Sequence, residues 1–259
     1  MMAVIHMLTF RDLTVKTGDK ELLKKLSFDV LNGETVCIMG PNGAGKSSLC
    51  KALMHHPSYS ITKGQILYNH KDITNLTTSE IAMLGIYYIN QTPVEIEGIT
   101  NAEMIRTALI SKGEKVDIFA FNKQCNEVLK KLDLPKSFLH RNINEGMSGG
   151  ERKKNELFGM WMLKPSFVIL DEIDSGLDVD ALKVVGENLR DYQRETGATL
   201  LLITHQQKLI DILKPSKIVI LNQGEIVKIG DYSLAKEIEV SGFSSFTRTN
   251  EESKEGFHE

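Results

Sequence analysis

Cysteine is scarce. The 259 residues hold three, Cys37, Cys50 and Cys125, an odd number at spacings that build neither a disulfide framework nor a CxxC metal pair. Reduced, structural thiols are expected, with Cys37 and Cys50 reading as small buried hydrophobes in or beside apolar runs. Long apolar runs are missing too. The stretch 198–203 falls far short of the ~18 residues that a membrane-spanning helix needs, so direct membrane insertion is not expected. There is no surplus of basic charge either: 31 Lys plus Arg against 34 Asp plus Glu leave a net charge of −3, which argues against a nucleic-acid partner. Residues 1–10 carry neither a basic and apolar leader nor an Arg- and Ser-rich transit pattern, so a cytoplasmic protein is expected. No internal repeat or low-complexity linker divides the chain, and 41% apolar residues supply enough material for a core.

What is present reads as an α/β protein. The first 35 residues alternate loosely and break at Gly18-Asp19 and at Asn32-Gly33, as in an antiparallel edge sheet. Apolar runs at 35–39, 167–170 and 199–203, with helical character at 46–54 and 179–195, have the spacing of a parallel sheet with crossover helices. Residues 218–229 look like a hairpin turning at 222–224. Between residues 92 and 146 the strand runs vanish and Val128, Leu129, Leu132 and Leu134 recur at helical spacing, which predicts a helical insertion into the α/β core. Residues 249–259 are polar and acidic and read as a frayed tail.

The segment Gly40-Pro41-Asn42-Gly43-Ala44-Gly45-Lys46-Ser47 fits the P-loop pattern G-x-x-x-x-G-K-[ST], and it lies between a predicted strand and a predicted helix. Glycines there let backbone N–H groups approach phosphates, and a helix N-terminus adds its positive end. Lys46 is placed for the β- and γ-phosphates, Ser47 for Mg²⁺ and Ser48 for the α-phosphate. ATP and Mg²⁺ are therefore the expected cofactors. The strand at 167–170 runs into Asp171-Glu172. Acid pairs at strand ends are usually solvated or capping residues, but beside a P-loop the leading assignment is Asp171 for the Mg²⁺ sphere and Glu172 for orienting water. His205, read as the end of the next strand, is placed to hold Glu172 or to sense the γ-phosphate, against an even alternative of an ordinary strand-end residue.

Met147-Ser148-Gly149-Gly150-Glu151 resembles the LSGGQ/E signature of the ATP-binding-cassette ATPases. That resemblance assigns Gln91 to the family's Q-loop position, with a share in metal binding and catalysis. It assigns Asp171-Glu172 to the Walker B pair, Ser175-Gly176-Leu177-Asp178 to the D-loop and His205 to the switch histidine. It implies a single domain with a RecA-like P-loop NTPase core (residues 1–91 and 147–230) carrying an N-terminal antiparallel β subdomain. A helical subdomain (92–146) is inserted into the core, and a C-terminal extension and tail (231–259) follow. It also implies ATP hydrolysis in a head-to-tail dimer with a second copy, in which Ser148, Gly149, Gly150 and Asp178 complete the partner's nucleotide site. The family commonly stacks an aromatic on adenine near the position of Thr17, and no Tyr or Phe lies close to it here.

The words around these motifs narrow the resemblance. After the signature the chain has Glu151-Arg152-Lys153-Lys154-Asn155-Glu156. After the Walker B strand it has Glu172-Ile173-Asp174-Ser175-Gly176-Leu177-Asp178, and around Gln91 it reads Asn90-Gln91-Thr92-Pro93-Val94-Glu95-Ile96. Taken alone, Arg152-Lys153-Lys154 is best read as a solvated helix face. Together the three segments are similar to the ATPases of the Suf iron–sulfur cluster assembly system. The implied partners are soluble scaffolds, SufB with SufD or a SufB dimer, docked on the helical subdomain beside Gln91. The competing expectation is the ATP-binding subunit of a membrane transporter.

Overall fold

The computed structural model describes residues 6–243 and 246; the predicted tail at 249–259 lies outside them. From the N-terminus, β1 (His6–Thr17) and β2 (Lys20–Leu31) form a long hairpin, and β3 (Thr35–Met39) leads through the glycine-rich loop into α1 (Lys46–Leu53). Then come β4 (Ser60–Tyr68), β5 (Lys71–Asp72), α2 (Thr78–Met83) and β6 (Ile86–Ile89). The insertion holds β7 (Ile96–Thr100), α3 (Asn101–Ser111), α4 (Ile118–Lys131), a short 3₁₀ turn at Lys136–His140 and β8 (Asn142–Ile143). The chain continues through α5 (Gly149–Leu163), β9 (Phe167–Asp171), α6 (Val179–Thr196), β10 (Thr199–Ile203) and α7 (Gln207–Leu213). It closes with β11 (Lys217–Asn222), β12 (Glu225–Gly230) and α8 (Tyr232–Ser241).

Two larger sheets result. One is antiparallel, in the order β2-β1-β4-β5, and the other runs β12-β11-β3-β10-β9-β6. In the second, every pairing is parallel except the β11–β12 hairpin. Its central strands are buried on both faces, which explains why they read as unbroken apolar runs rather than alternating ones. Side chains of β3 divide by parity: Cys37 and Met39 join the core beneath α3, α4, α5 and α6, whereas Val36 and Ile38 join the core shared with the antiparallel sheet and α1. The ends of β3, β9 and β10 thus come together at one edge, where the P-loop and Asp171 emerge.

Cys37, Cys50 and Cys125 are free and buried; burial pushes the Cys37 thiol up to about 12. Phe10 and Phe28 stack within the antiparallel sheet, ring centroids 4.8 Å apart. No described helix is long and apolar enough to cross a membrane.

Two expectations need correction. The stretch 92–146 is not free of strand, because β7 and β8 pair antiparallel. Neither shows the alternation that marks a strand: β7 is exposed along nearly its whole length, and β8 is only two residues long. His205 does not end a strand. β10 stops at Ile203, where Thr204 turns the chain by accepting a hydrogen bond from Gln206 N through Oγ1, 2.9 Å. His205 sits in that turn.

Candidate nucleotide site

The loop between β3 and α1 is shaped by glycines at positive φ. Gly40 (φ 153°) and Gly45 (φ 105°) have no room for a side chain, since a Cβ on Gly40 would lie 2.0 Å from Leu221 O and one on Gly45 2.6 Å from Leu23 Cδ2. The loop is pinned from outside by Gly224, whose N–H donates to Ala44 O (3.0 Å), and from within by Ala44 N to Pro41 O (3.2 Å). Residues 42–48, together with Gln91, Glu172, Lys20 and Leu22, line a cavity of about 480 Å³. The N-terminus of α1 opens here with no side-chain cap, so its first N–H groups are available to an anion. A larger hollow of about 540 Å³, walled by Lys24, Lys25 and Lys63, holds none of the loop residues.

Lys46 is 5% exposed. Its Nζ donates to the carbonyls of Gly40 (2.8 Å) and Pro41 (3.1 Å). Burial lowers its pKa, opposed by the charges of Glu172 and Asp171. Ser47 Oγ donates to Asp171 Oδ1 at 2.9 Å, so the loop serine and the acid at the end of β9 meet as expected. The pair offers hard oxygen donors beside the phosphate loop. That fits Mg²⁺, which takes one or two protein oxygens and fills its remaining positions with phosphate oxygens and water. Among the described residues no cluster of three or more His, Cys, Asp and Glu could hold a metal unaided.

Glu172 follows Asp171 with φ 48°, its N–H donating to Ile203 O at 3.0 Å. That left-handed turn takes its side chain off the strand and into the cavity, where Gln91 Nε2 donates to Oε2. Gln91 and Glu172 are therefore partners here. His205 is not hydrogen-bonded to Glu172; its ring meets Phe243 edge-on, centroids 6.0 Å apart. Burial, then Lys46, lower its pKa, against Glu172 and Asp174.

The signature residues lie elsewhere. Ser148 is the N-cap of α5, its Oγ accepting from Glu151 N (3.3 Å) while Ser148 N donates to Glu151 Oε2 (2.9 Å), a reciprocal capping box. A Cβ on Gly149 or Gly150 would meet nothing within 4 Å. Asp178 is exposed and caps α6, accepting from Ala181 N at 2.8 Å. None of Ser148, Gly149, Gly150 and Asp178 lines the 480 Å³ cavity. Thr17 is absent from its lining as well, and the residues of β2 that reach it are Lys20 and Leu22, not an aromatic.

Two residues escaped the sequence reading. Tyr88 donates its hydroxyl to Asp171 Oδ2 at 2.8 Å; the signal would have been the register of β6 against β9, which sequence does not disclose. Lys153 corrects the reading of 152–154 as a solvated face. It is 4% exposed, and its Nζ donates to Gln91 O at 3.0 Å. Burial lowers its pKa, with Glu156 the largest opposing charge; Glu156 is itself raised to about 7 by burial. Arg152 pairs with Glu95 and donates to Met147 O. Asn155 Nδ2 donates to Asn144 Oδ1 (3.0 Å), and Asn144 Nδ2 donates to Val94 O (2.8 Å). The first turns of α5 are thus fastened to the segment that follows Gln91.

A family model described as "ABC transporter" matches residues 23–175. The chain is 41% identical to the probable ATP-dependent transporter SufC of Escherichia coli, over 93% of this chain and 99% of that one. It is 42% identical to the iron-sulfur cluster assembly protein SufC of Plasmodium falciparum, over 89% and 68%. Among solved structures, a dimeric ABC transporter cassette superposes with a TM-score of 0.76 at 22% identity, over 87% of this chain and 99% of that one. A bacterial Atm1-family exporter with ATP bound does so with a TM-score of 0.72 at 23% identity, over 92% and 41%.

Proposed function

The chain belongs to the ABC transporter family of ATP hydrolases, and on that premise we propose that it is the ATPase of a Suf-type iron–sulfur cluster assembly complex, working as a cytoplasmic protein. What carries the reading is the identity of about 40% to SufC proteins, sustained over most of both chains. We read the whole of residues 1–259 as one cassette, with 92–146 as the helical subdomain between the two core segments 1–91 and 147–230, and 231–259 as an extension.

In this reading the triphosphate of ATP lies along residues 40–48, taken up by backbone N–H groups and by Lys46, which exchanges its loop carbonyls for phosphate oxygens. Ser47, Asp171 and the side-chain oxygen of Gln91 would hold Mg²⁺, which would supply neutralisation of developing charge on the phosphates. Glu172, once freed from Gln91, accepts a hydrogen bond from the attacking water and orients it in line with the γ-phosphate. His205 contacts the γ-phosphate from the turn after β10.

The other half of each site comes from a second copy. Ser148, Gly149 and Gly150 stand at a helix N-terminus, able to offer a hydroxyl and N–H groups to a γ-phosphate, yet they lie outside their own chain's cavity. Two copies related by a twofold axis would place each signature over the other's P-loop, with Asp178 at the same boundary. ATP then holds the dimer together and hydrolysis releases it. The dimer's opening and closing reshape SufB or SufD scaffolds attached beside Gln91.

Replacing Glu172 tests the chemistry. Glu172→Gln should bind ATP with near-normal affinity, accumulate as an ATP-bound dimer in analytical ultracentrifugation, and lose turnover by about 10²–10⁴-fold, the range for a positioned acid–base group. Turnover within threefold of the parent would remove Glu172 from this role. The assembly role is tested by mild affinity purification from the native cells. Soluble scaffold subunits, with iron and sulfide in the complex, support it, and co-purification of an integral membrane permease would replace it with a transporter role.

A further inference from the structure

Asp171 is 1% exposed, and both oxygens of its carboxylate have partners. Oδ1 accepts from Ser47 Oγ at 2.9 Å and Oδ2 from Tyr88 Oη at 2.8 Å. The two donors come from different elements: Ser47 from the P-loop at the start of α1, Tyr88 from β6, the neighbour of β9. In the parallel register Tyr88 faces Ile169. Residues 169 and 171 share one face of the sheet, so the phenol runs diagonally along that face to the acid two residues on.

We propose that Tyr88 is a positioning residue for the metal-facing carboxylate. By occupying Oδ2 it fixes the plane of the carboxylate and leaves Oδ1 turned to Ser47, so that the hydroxyl and the carboxylate oxygen present themselves together to Mg²⁺. This rests on the reading of the cavity as a Mg-nucleotide site. A buried carboxylate with one oxygen unpartnered would rotate to find a donor, and the Ser47–Asp171 contact is the nearest one it could lose. The phenol is suited to the task because its O–H can donate to a carboxylate oxygen, which can only accept. Outer-sphere partners of this kind typically contribute 10–100-fold in metal affinity.

The test uses the full chain and binding rather than turnover. A fluorescent N-methylanthraniloyl ATP is titrated in EDTA and then over a series of Mg²⁺ concentrations, for the parent and for Tyr88→Phe. The expected result is unchanged affinity in EDTA, within twofold, and a half-saturating Mg²⁺ concentration raised by about 10-fold or more. A fluorotyrosine at position 88, which keeps the donor, should restore the parent value. A Tyr88→Phe curve that overlays the parent in Mg²⁺ would overturn the proposal, whatever happens to thermal stability. Tyr88→Met, which also lacks the donor but fills the space flexibly, takes the same place should the Phe variant not fold. If the parent itself shows no response to Mg²⁺, the Mg-nucleotide reading fails, an outcome distinct from failure of Tyr88 alone.

Discussion

The P-loop edge and the signature edge of this molecule are built to opposite plans. At the first, Lys46, Ser47, Gln91 and Glu172 face one cavity and are already engaged with neighbours: Lys46 with the loop carbonyls, Ser47 with Asp171, Gln91 with Glu172. At the second, Ser148 is bonded only to its own helix, the two glycines face open space and Asp178 caps another helix. A cradle that is closed on itself can be loaded by one chain. A helix end that points outward is of use only to something that arrives from outside, and that asymmetry is the physical argument for a second copy.

The sharpest way to break the comparison is to disable the closed side. Lys46→Ala removes a buried cation that, in the proposed function, donates charge-assisted hydrogen bonds to phosphate, a kind individually worth about 1.5–3 kcal/mol. ATP affinity should fall on the order of 100-fold in isothermal titration. A loss of less than threefold would mean that the loop is not the phosphate cradle. Disabling the open side should behave differently. Ser148→Arg puts bulk and charge at an exposed helix end without touching the cavity. Nucleotide binding by the single chain should stay within about twofold, while ATP-dependent dimerisation in the ultracentrifuge disappears and turnover per chain drops on the order of 10²-fold, the scale of one lost transition-state donor. Equal damage to binding by one chain would show that the signature acts in its own cavity, and the comparison would collapse.

The two edges differ also in how far the sequence disclosed them. The P-loop was legible because its pattern is local: the glycines, Lys46 and Ser47 lie within eight positions, and the strand before and helix after follow from periodicity. Asp171 and Glu172 could be read because a buried parallel strand is an apolar run with an acid at its end. Tyr88 could not be, since its role depends on which residue of β9 lies opposite, and that is a fact of pairing. Lys153 was misread for a related reason. A run of three cations on a helix looks solvated until the helix is docked, and here the middle one turns inward to Gln91 O while its neighbours lie along the surface. β7 and β8 were missed because short exposed strands bury too little to leave an alternation.

Lys153, Arg152 and Asn155 also join the two edges. The first turns of α5 carry the signature at one end and hold the segment after Gln91 along their side, while the Gln91 side chain holds Glu172. A shift of α5 therefore has a direct mechanical path to the acid in the cavity. This path predicts that Lys153→Met, which removes the tie to Gln91 O but keeps the apolar stem, changes turnover by about 3–10-fold, inside the roughly 0.5–2 kcal/mol by which residues along a coupling network act. ATP affinity of the single chain should be nearly unmoved. Unchanged turnover would reduce the tie to packing.

The smallest expected effect is the pH dependence of the signature helix itself. Glu151 is held at about 2, below the ordinary carboxylate value, because it accepts first from Ser148 N and then from the Arg141 guanidinium and Ser148. A carboxylate lowered in the folded state stabilises it fully above its unfolded pKa of about 4.5. That contribution is lost as pH falls from there toward 2, where the folded form also takes up the proton. Because Glu151 is about 40% exposed, solvent screening reduces the effect to about 1 kcal/mol or less. Urea unfolding of the parent and of Glu151→Gln should therefore differ by that amount at pH 7, and the gap should narrow steadily as pH is lowered from 5 to 3. A gap that stays constant over that range would mean that the cap depends on hydrogen-bond geometry alone and not on the charge, leaving the open edge of the molecule without an electrostatic lock.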